Sequence, residues 1–77
     1  MATDVIMPKF GLTMQEGTIV RWLKNEGDPV SEGETLVEIE TEKIVCELES
    51  PAAGTLAKIC AVPGTVAPVG ETIGIIS

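Results

Sequence analysis

Residues 53–76 repeat residues 16–39 at a constant shift of 37. Gly17-Thr18-Ile19 falls on Gly54-Thr55-Leu56, Arg21 on Lys58, and Gly27 on Gly64. Further along, Gly33-Glu34-Thr35-Leu36 falls on Gly70-Glu71-Thr72-Ile73, and Ile39 on Ile76. Seven of the 24 aligned pairs are identical, and the glycines coincide. Each copy therefore reads as one unit: strand, glycine turn, short extended piece, glycine turn, strand. Neither copy can bury its apolar face alone, so the two must pack face to face. The expected architecture is a β-sandwich or flattened barrel with approximate two-fold symmetry. No segment carries a sustained i, i+3, i+4 apolar stripe, and Gly or Pro interrupts every long window, so the chain reads as all-β. The main predicted strands are Thr3 to Met7, Thr18 to Leu23, Leu36 onward, Thr55 to Ala61 and Thr72 to Ile76. Pro8 ends the first of these or places it at a sheet edge.

The repeat leaves residues 40–52 unmatched, and these hold a hairpin. Val37, Ile39 and Thr41 alternate with Glu38, Glu40 and Glu42 on the way in. Ile44, Cys46 and Leu48 alternate with Val45, Glu47 and Glu49 on the way out. Such alternation marks half-buried antiparallel strands. They can be joined only by a tight turn at Glu42-Lys43. Two-residue turns favour Asn-Gly or Gly-X, because they need positive φ. Glu-Lys offers neither, and a broken local rule in a well-patterned hairpin points to function. Under the repeat, residues 42 and 43 fall opposite Val5-Ile6. The symmetry thus puts both termini at one end of the barrel and Lys43 at the other.

Seventy-seven residues with a net charge of -7 make one small acidic domain. No basic patch is present to neutralise phosphates, which argues against a nucleic-acid partner. No apolar run is long enough to span a membrane. The opening Met1-Ala2-Thr3-Asp4 lacks the basic-then-apolar character of a signal segment. A cytoplasmic location is expected, with the mitochondrial matrix after processing as the second choice. The chain has no histidine, and Cys46 and Cys60 form no CxxC, so no metal site or His-assisted nucleophile is expected. Both cysteines fall at apolar positions of strand-like runs and read as small buried hydrophobes. Trp22 reads as a core anchor with one indole N–H to satisfy. Between Lys9 and Gly17 lies a surface loop with the large apolar residues Phe10, Leu12 and Met14. Each is either a core plug or a recognition contact.

An exposed lysine needs no explanation by itself. Lys43 stands apart from Lys9, Lys24 and Lys58 only by its place at the tip of a hairpin. A catalytic amine usually needs a lowered pKa, from burial or a neighbouring cation. Here the neighbours are carboxylates, which favour the protonated form. Acceptance of a group from another enzyme fits this lysine better than catalysis does.

Glu40-Thr41-Glu42-Lys43-Ile44 resembles the lipoylation motif of the lipoyl domains of 2-oxo acid dehydrogenase complexes. Met7-Pro8-Lys9-Phe10-Gly11, Glu16-Gly17-Thr18-Ile19, Glu26-Gly27-Asp28, Gly33-Glu34-Thr35-Leu36, Ser50-Pro51-Ala52-Ala53-Gly54 and Pro68-Val69-Gly70 match that family's pattern in order. The commonest tip in the family is Asp-Lys-Ala. Glu42-Lys43-Ile44 is similar to the acetoin dehydrogenase-type acyltransferases instead. The biotinyl domains share the fold, but their lysine lies between methionines, so biotin is the alternative, with an unmodified protein-binding barrel as a third reading.

The resemblance implies a barrel-sandwich hybrid of two four-stranded antiparallel sheets, spanning residues 1–77 as one non-catalytic, monomeric carrier domain. It implies lipoic acid in amide linkage to Lys43, with Glu42 and Ile44 as motif flanks. The arm would shuttle acyl groups between three partners: a thiamine-diphosphate-dependent dehydrogenase component, an acyltransferase core and a dihydrolipoamide dehydrogenase. The acyl groups would derive from pyruvate, a branched-chain 2-oxo acid or acetoin, and a lipoate ligase or lipoyltransferase would load the arm. The loop beside the lysine would contribute to partner choice through Leu12, Thr13 and Met14. Glu38, Glu40, Glu42, Glu47 and Glu49 would steer a basic partner. The lack of an Ala/Pro-rich linker and a catalytic domain leads us to expect a piece of a longer acyltransferase.

Overall fold

The computed structural model describes residues 2–42 and 44–77; Met1 and Lys43 lie outside the described residues. Among the described residues there are eight strands: β1 (Thr3–Ile6), β2 (Glu16–Trp22), β3 (Pro29–Val30), β4 (Thr35–Glu40), β5 (Val45–Glu49), β6 (Gly54–Ile59), β7 (Val66–Pro68) and β8 (Thr72–Ile76). They form two four-stranded sheets, ordered β1-β8-β6-β3 and β5-β4-β2-β7. Every neighbouring pair is antiparallel.

The repeat in the sequence is a repeat of bonds. Strands β2, β3 and β4 correspond to β6, β7 and β8, and the two sheet orders coincide under that exchange. A register shift falls between Ile19 and Arg21 against β4, and between Leu56 and Lys58 against β8, at equivalent positions. The amide of Gly27 donates to the Leu56 carbonyl at 2.8 Å, and Gly64 donates to Ile19 at 2.7 Å. Gly27 and Gly64 adopt φ of 93° and 92°, where a side chain would be strained. The symmetry extends past the aligned residues. Gly33 donates to Ser50 and Gly70 to Met7, both at 2.9 Å, so β1 stands to β8 as β5 stands to β4.

The two inner faces supply one core. Val5, Leu56, Ile73 and Ile76 come from the first sheet, and Ile19, Leu36, Val37 and Ile39 from the second, all fully buried. At about 25 cal/mol per Å² of apolar surface removed from water, burial of these faces is the main stabilising contribution. Trp22 packs edge-on over Gly74, where an added Cβ would lie 2.9 Å from the indole Cη2. Its indole N–H donates to the Ala61 carbonyl at 2.8 Å, as a part-buried indole requires.

Several expectations need correction. Cys60 is exposed and Cys46 only half-buried, so neither is a buried core hydrophobe. Cys60 sits just past β6, at the position matching Leu23, which is itself exposed. Ile44 does not begin the inward face of the outgoing strand. It is 58% exposed, because β5 starts one residue later, at Val45. The short extended pieces of the repeat are the strands β3 and β7. Both lie at sheet edges, where Pro29 and Pro68 leave no ladder hydrogen bond unmade. Met7 falls outside β1 but is fully buried.

Candidate functional site

The hairpin tip projects from the second sheet. β4 delivers Glu40 opposite Val45 and Thr18. The Thr41 amide donates to the Ile44 carbonyl at 2.8 Å, and the Thr41 hydroxyl reaches the same oxygen at 3.3 Å. This double contact fixes the residues on either side of the turn. Among the described residues no non-glycine has positive φ, so Glu42 does not take the left-handed conformation that a two-residue turn usually demands. The expected acceptor Lys43 lies outside the described residues, and its flanks Glu42 and Ile44 are both exposed.

At the other end of β4, Thr35 pairs with Glu49, and the neighbouring Gly33 bonds Ser50. The chain then passes through residues 51–53 to Thr55, whose amide donates to Ser77 at 2.9 Å. Thr3 pairs with Ile76. Both termini therefore lie at the end opposite the tip, as the symmetry requires.

One exception to the symmetry is a matter of length. Nine residues, 8–16, connect Met7 to Gly17, whereas three, 51–53, connect the equivalent Ser50 to Gly54. The additional chain lies beside the tip. Between the two runs a groove of about 720 Å³. Phe10, Gly11, Thr13 and Met14 form one wall, and Thr41, Glu42 and Ile44 the other. Gln15 and Glu16 close the base, where β2 begins. A smaller depression of about 210 Å³ joins Glu16, Glu40 and Glu42 with Gly17, Thr18 and Thr41. Among the described residues no acid, cysteine or histidine group is arranged to hold a metal ion.

The three apolar residues of the loop have separate tasks. Met14 packs against the core, into space left by Gly17. A Cβ on Gly17 would lie 3.2 Å from the Met14 methyl and 2.7 Å from Ile39 Cγ2. Leu12 is 93% exposed, and Phe10 is 37% exposed and faces the groove. Of the expected recognition residues, Thr13 and Met14 line the groove, and Leu12, just before them, projects from the loop.

The glutamates divide as well. Glu40 and Glu42 belong to the tip. Glu38 is held by the Arg21 guanidinium at 2.8 Å, and Glu47 lies across the strand from it. Glu49 is exposed at the far end of β5, four residues from Val45, or about 13 Å along the strand. The structure therefore does not bring Glu49 to the tip. Glu16, Gln15 and Thr41 were missed as site residues. Only the cross-strand register of Thr18 with Glu40, which the structure supplies, places the start of β2 beside the tip.

The biotin–lipoyl family profile, described as biotin-requiring enzyme, matches residues 3–76. The succinyltransferase component of the 2-oxoglutarate dehydrogenase complex of Rickettsia felis is 46% identical over 74 residues. The acetyltransferase component of the acetoin cleaving system of Bacillus subtilis is 44% identical over 73 residues. These alignments cover 96% and 95% of this chain but 18% of each relative, so the chain matches under a fifth of their length. The solution structure of the lipoyl domain of the 2-oxoglutarate dehydrogenase complex from Azotobacter vinelandii superposes with a TM-score of 0.78 at 34% identity. That match covers 96% of this chain and 94% of the other. The chain belongs to the biotin–lipoyl family, and within it is a lipoyl domain, a small carrier unit rather than a catalyst.

Proposed function

We propose that Lys43 carries a lipoyl group in amide linkage and that the domain presents this arm to successive active sites of a 2-oxo acid dehydrogenase-type complex. The observation that carries the proposal is the hydrogen-bonded tip, whose exposed Glu42 and Ile44 flank Lys43 at the end opposite both termini. The bound group supplies a sulfur pair that accepts an acyl group together with electrons. The protein's part is placement. Thr41 and Ile44 clamp the turn, while β4 and β5 hold it clear of the barrel. A tether at the opposite end would confine the arm near its partners and raise its local concentration.

The flanks favour lipoate over biotin, since Glu42 and Ile44 stand where the biotinyl family has methionines. Glu40, Glu42 and Glu16 give the tip a negative field suited to a basic partner mouth. The expected partners are the thiamine-diphosphate-dependent component, the acyltransferase core, dihydrolipoamide dehydrogenase and a lipoate ligase. Relatives from the 2-oxoglutarate and acetoin systems support membership of this class of complex.

Co-expression with lipoate ligase or with biotin ligase, followed by intact mass, tests the proposal. We expect addition of one lipoyl group that disappears in Lys43→Arg. Biotin addition, or no addition by either enzyme, contradicts it.

A further inference from the structure

The groove between residues 10–16 and the tip exists because the loop is longer than its symmetry mate. At the opposite end of the barrel, three residues pass close over the C-terminus, and Gly54 there leaves no room for even a Cβ beside the Ser77 carbonyl. At the tip end, the six additional residues stand off from the hairpin and enclose about 720 Å³. That volume lies within the range of small-molecule sites, roughly 300–1,000 Å³.

The wall is built rather than slack. The Met14 amide donates to Gly11 at 3.2 Å, and the Phe10 amide points at the Met14 sulfur at 3.1 Å. The Val69 amide ties Gln15 to β7 at 2.9 Å. Met14 is in turn seated on the core. A cavity held open in this way avoids the ordering penalty that a collapsed loop would add on binding.

Resting on the carrier reading above, we propose that this groove is a docking site for the oxidised dithiolane ring of the domain's own lipoyl arm. Two arguments on the molecule select this occupant. First, Glu42 and Ile44 line the groove and flank the acceptor in sequence, so the arm is tethered at the groove's edge. Tethering makes a weak contact effective, because the local concentration of a short-tethered ligand is of order millimolar. Second, the chemistry matches. Phe10, Met14 and Ile44 offer an aromatic ring, a thioether and an aliphatic face, surfaces that favour a neutral sulfur-bearing ring. Glu16 and Glu42 at the rim disfavour any anionic form, such as a thiolate. The barrel thus holds the ring against itself between visits and releases it to a partner that competes for it.

The test uses the isotope-labelled chain, loaded by lipoate ligase and checked by intact mass. We expect nuclear Overhauser contacts from the ring protons to the Met14 methyl and the Phe10 ring. The amides of Gly11 and Thr13 should shift on loading. Gly11→Phe should abolish those contacts. A Cβ at Gly11 meets nothing within 4 Å and Gly11 lines the groove, so this variant adds a bulky ring at the groove wall without disturbing the barrel. Full loading with no ring contacts, and with shifts confined to residues 41–45, overturns the docking proposal and leaves the carrier reading standing. Contacts that persist in Gly11→Phe also overturn it, by placing the ring elsewhere. Absence of any lipoyl adduct removes the carrier reading and this one together.

Discussion

The two halves of the barrel share sheet order, bulge positions, glycine turns and the amide bonds that lock them. Two differences between them stand out. One is inside, where Trp22 beside Val37 in one half faces Ile59 beside Gly74 in the other. A large residue and a glycine have traded volume across the two-fold. The other is outside, where nine residues beside the tip replace three beside the termini. The internal difference is an exchange of volume between packed residues. The external one adds surface only at the end that bears Lys43. Symmetry explains how the chain folds, and its outer breach coincides with the site proposed for the arm.

The largest effects should come from residues that the two-fold makes equivalent. Ile39→Ala and Ile76→Ala each remove a fully buried side chain, and each should cost about 2–5 kcal/mol in urea unfolding. If one of them proves nearly neutral, the halves do not contribute equally to the core.

Next is the exchanged volume. Gly74→Val drives a side chain into Trp22 and should destabilise by about 1–3 kcal/mol. Adding Trp22→Ile copies the other half's pairing and should recover part of that loss, with a coupling of roughly 0.5–3 kcal/mol. Strict additivity in the cycle would show that the two residues do not share one space.

The outer difference is tested through charge. Glu40→Lys with Glu42→Lys should slow reductive acylation by the partner dehydrogenase roughly ten-fold at low salt, and should flatten its salt dependence. An unchanged rate at low salt would remove electrostatic steering from the account.

The smallest effect concerns a pair on the first repeat unit alone. Lys24 and Glu34 meet at 2.8 Å, where the second unit has Ala61 and Glu71. The Lys24 ammonium, and then the Ser31 amide, hold the Glu34 carboxyl below the usual carboxylate range. Bonding to Glu34 raises Lys24 above the ordinary lysine value. A depressed carboxylate stabilises the fold above its unfolded pKa, and that contribution fades as pH falls through the folded value. The raised lysine stabilises below its unfolded pKa and loses this as pH climbs through its folded value. Glu34→Gln should therefore lower Tm slightly at neutral pH, with no difference remaining in strong acid or strong base. The effect is small because both groups face solvent.

Much of this fold was legible in the sequence because glycines that must take positive φ recur at a fixed spacing. Gly27 with Gly64, and Gly33 with Gly70, mark the same turns twice. The tip position followed from what the repeat left over. Strands of two or three residues, β3 and β7, carry too little pattern to read as more than extended pieces. Composition could not separate Met14 from Leu12, because both are large and apolar; the space above Gly17 decides which one turns inward. Ile44 and Cys60 were misread because alternation was carried past the ends of the strands. The groove was invisible for a different reason. It is a gap between segments far apart in sequence, and only the register of β2 with β4 brings its walls together.

Attachment of the arm at the hairpin tip is tested by locating the modification with peptide-level mass spectrometry after loading by lipoate ligase. Lys9, Lys24, Lys43 and Lys58 are all present to compete for the label. The whole lipoyl adduct should fall on Lys43. A lipoyl group on any of the other three, or spread among them, would contradict it.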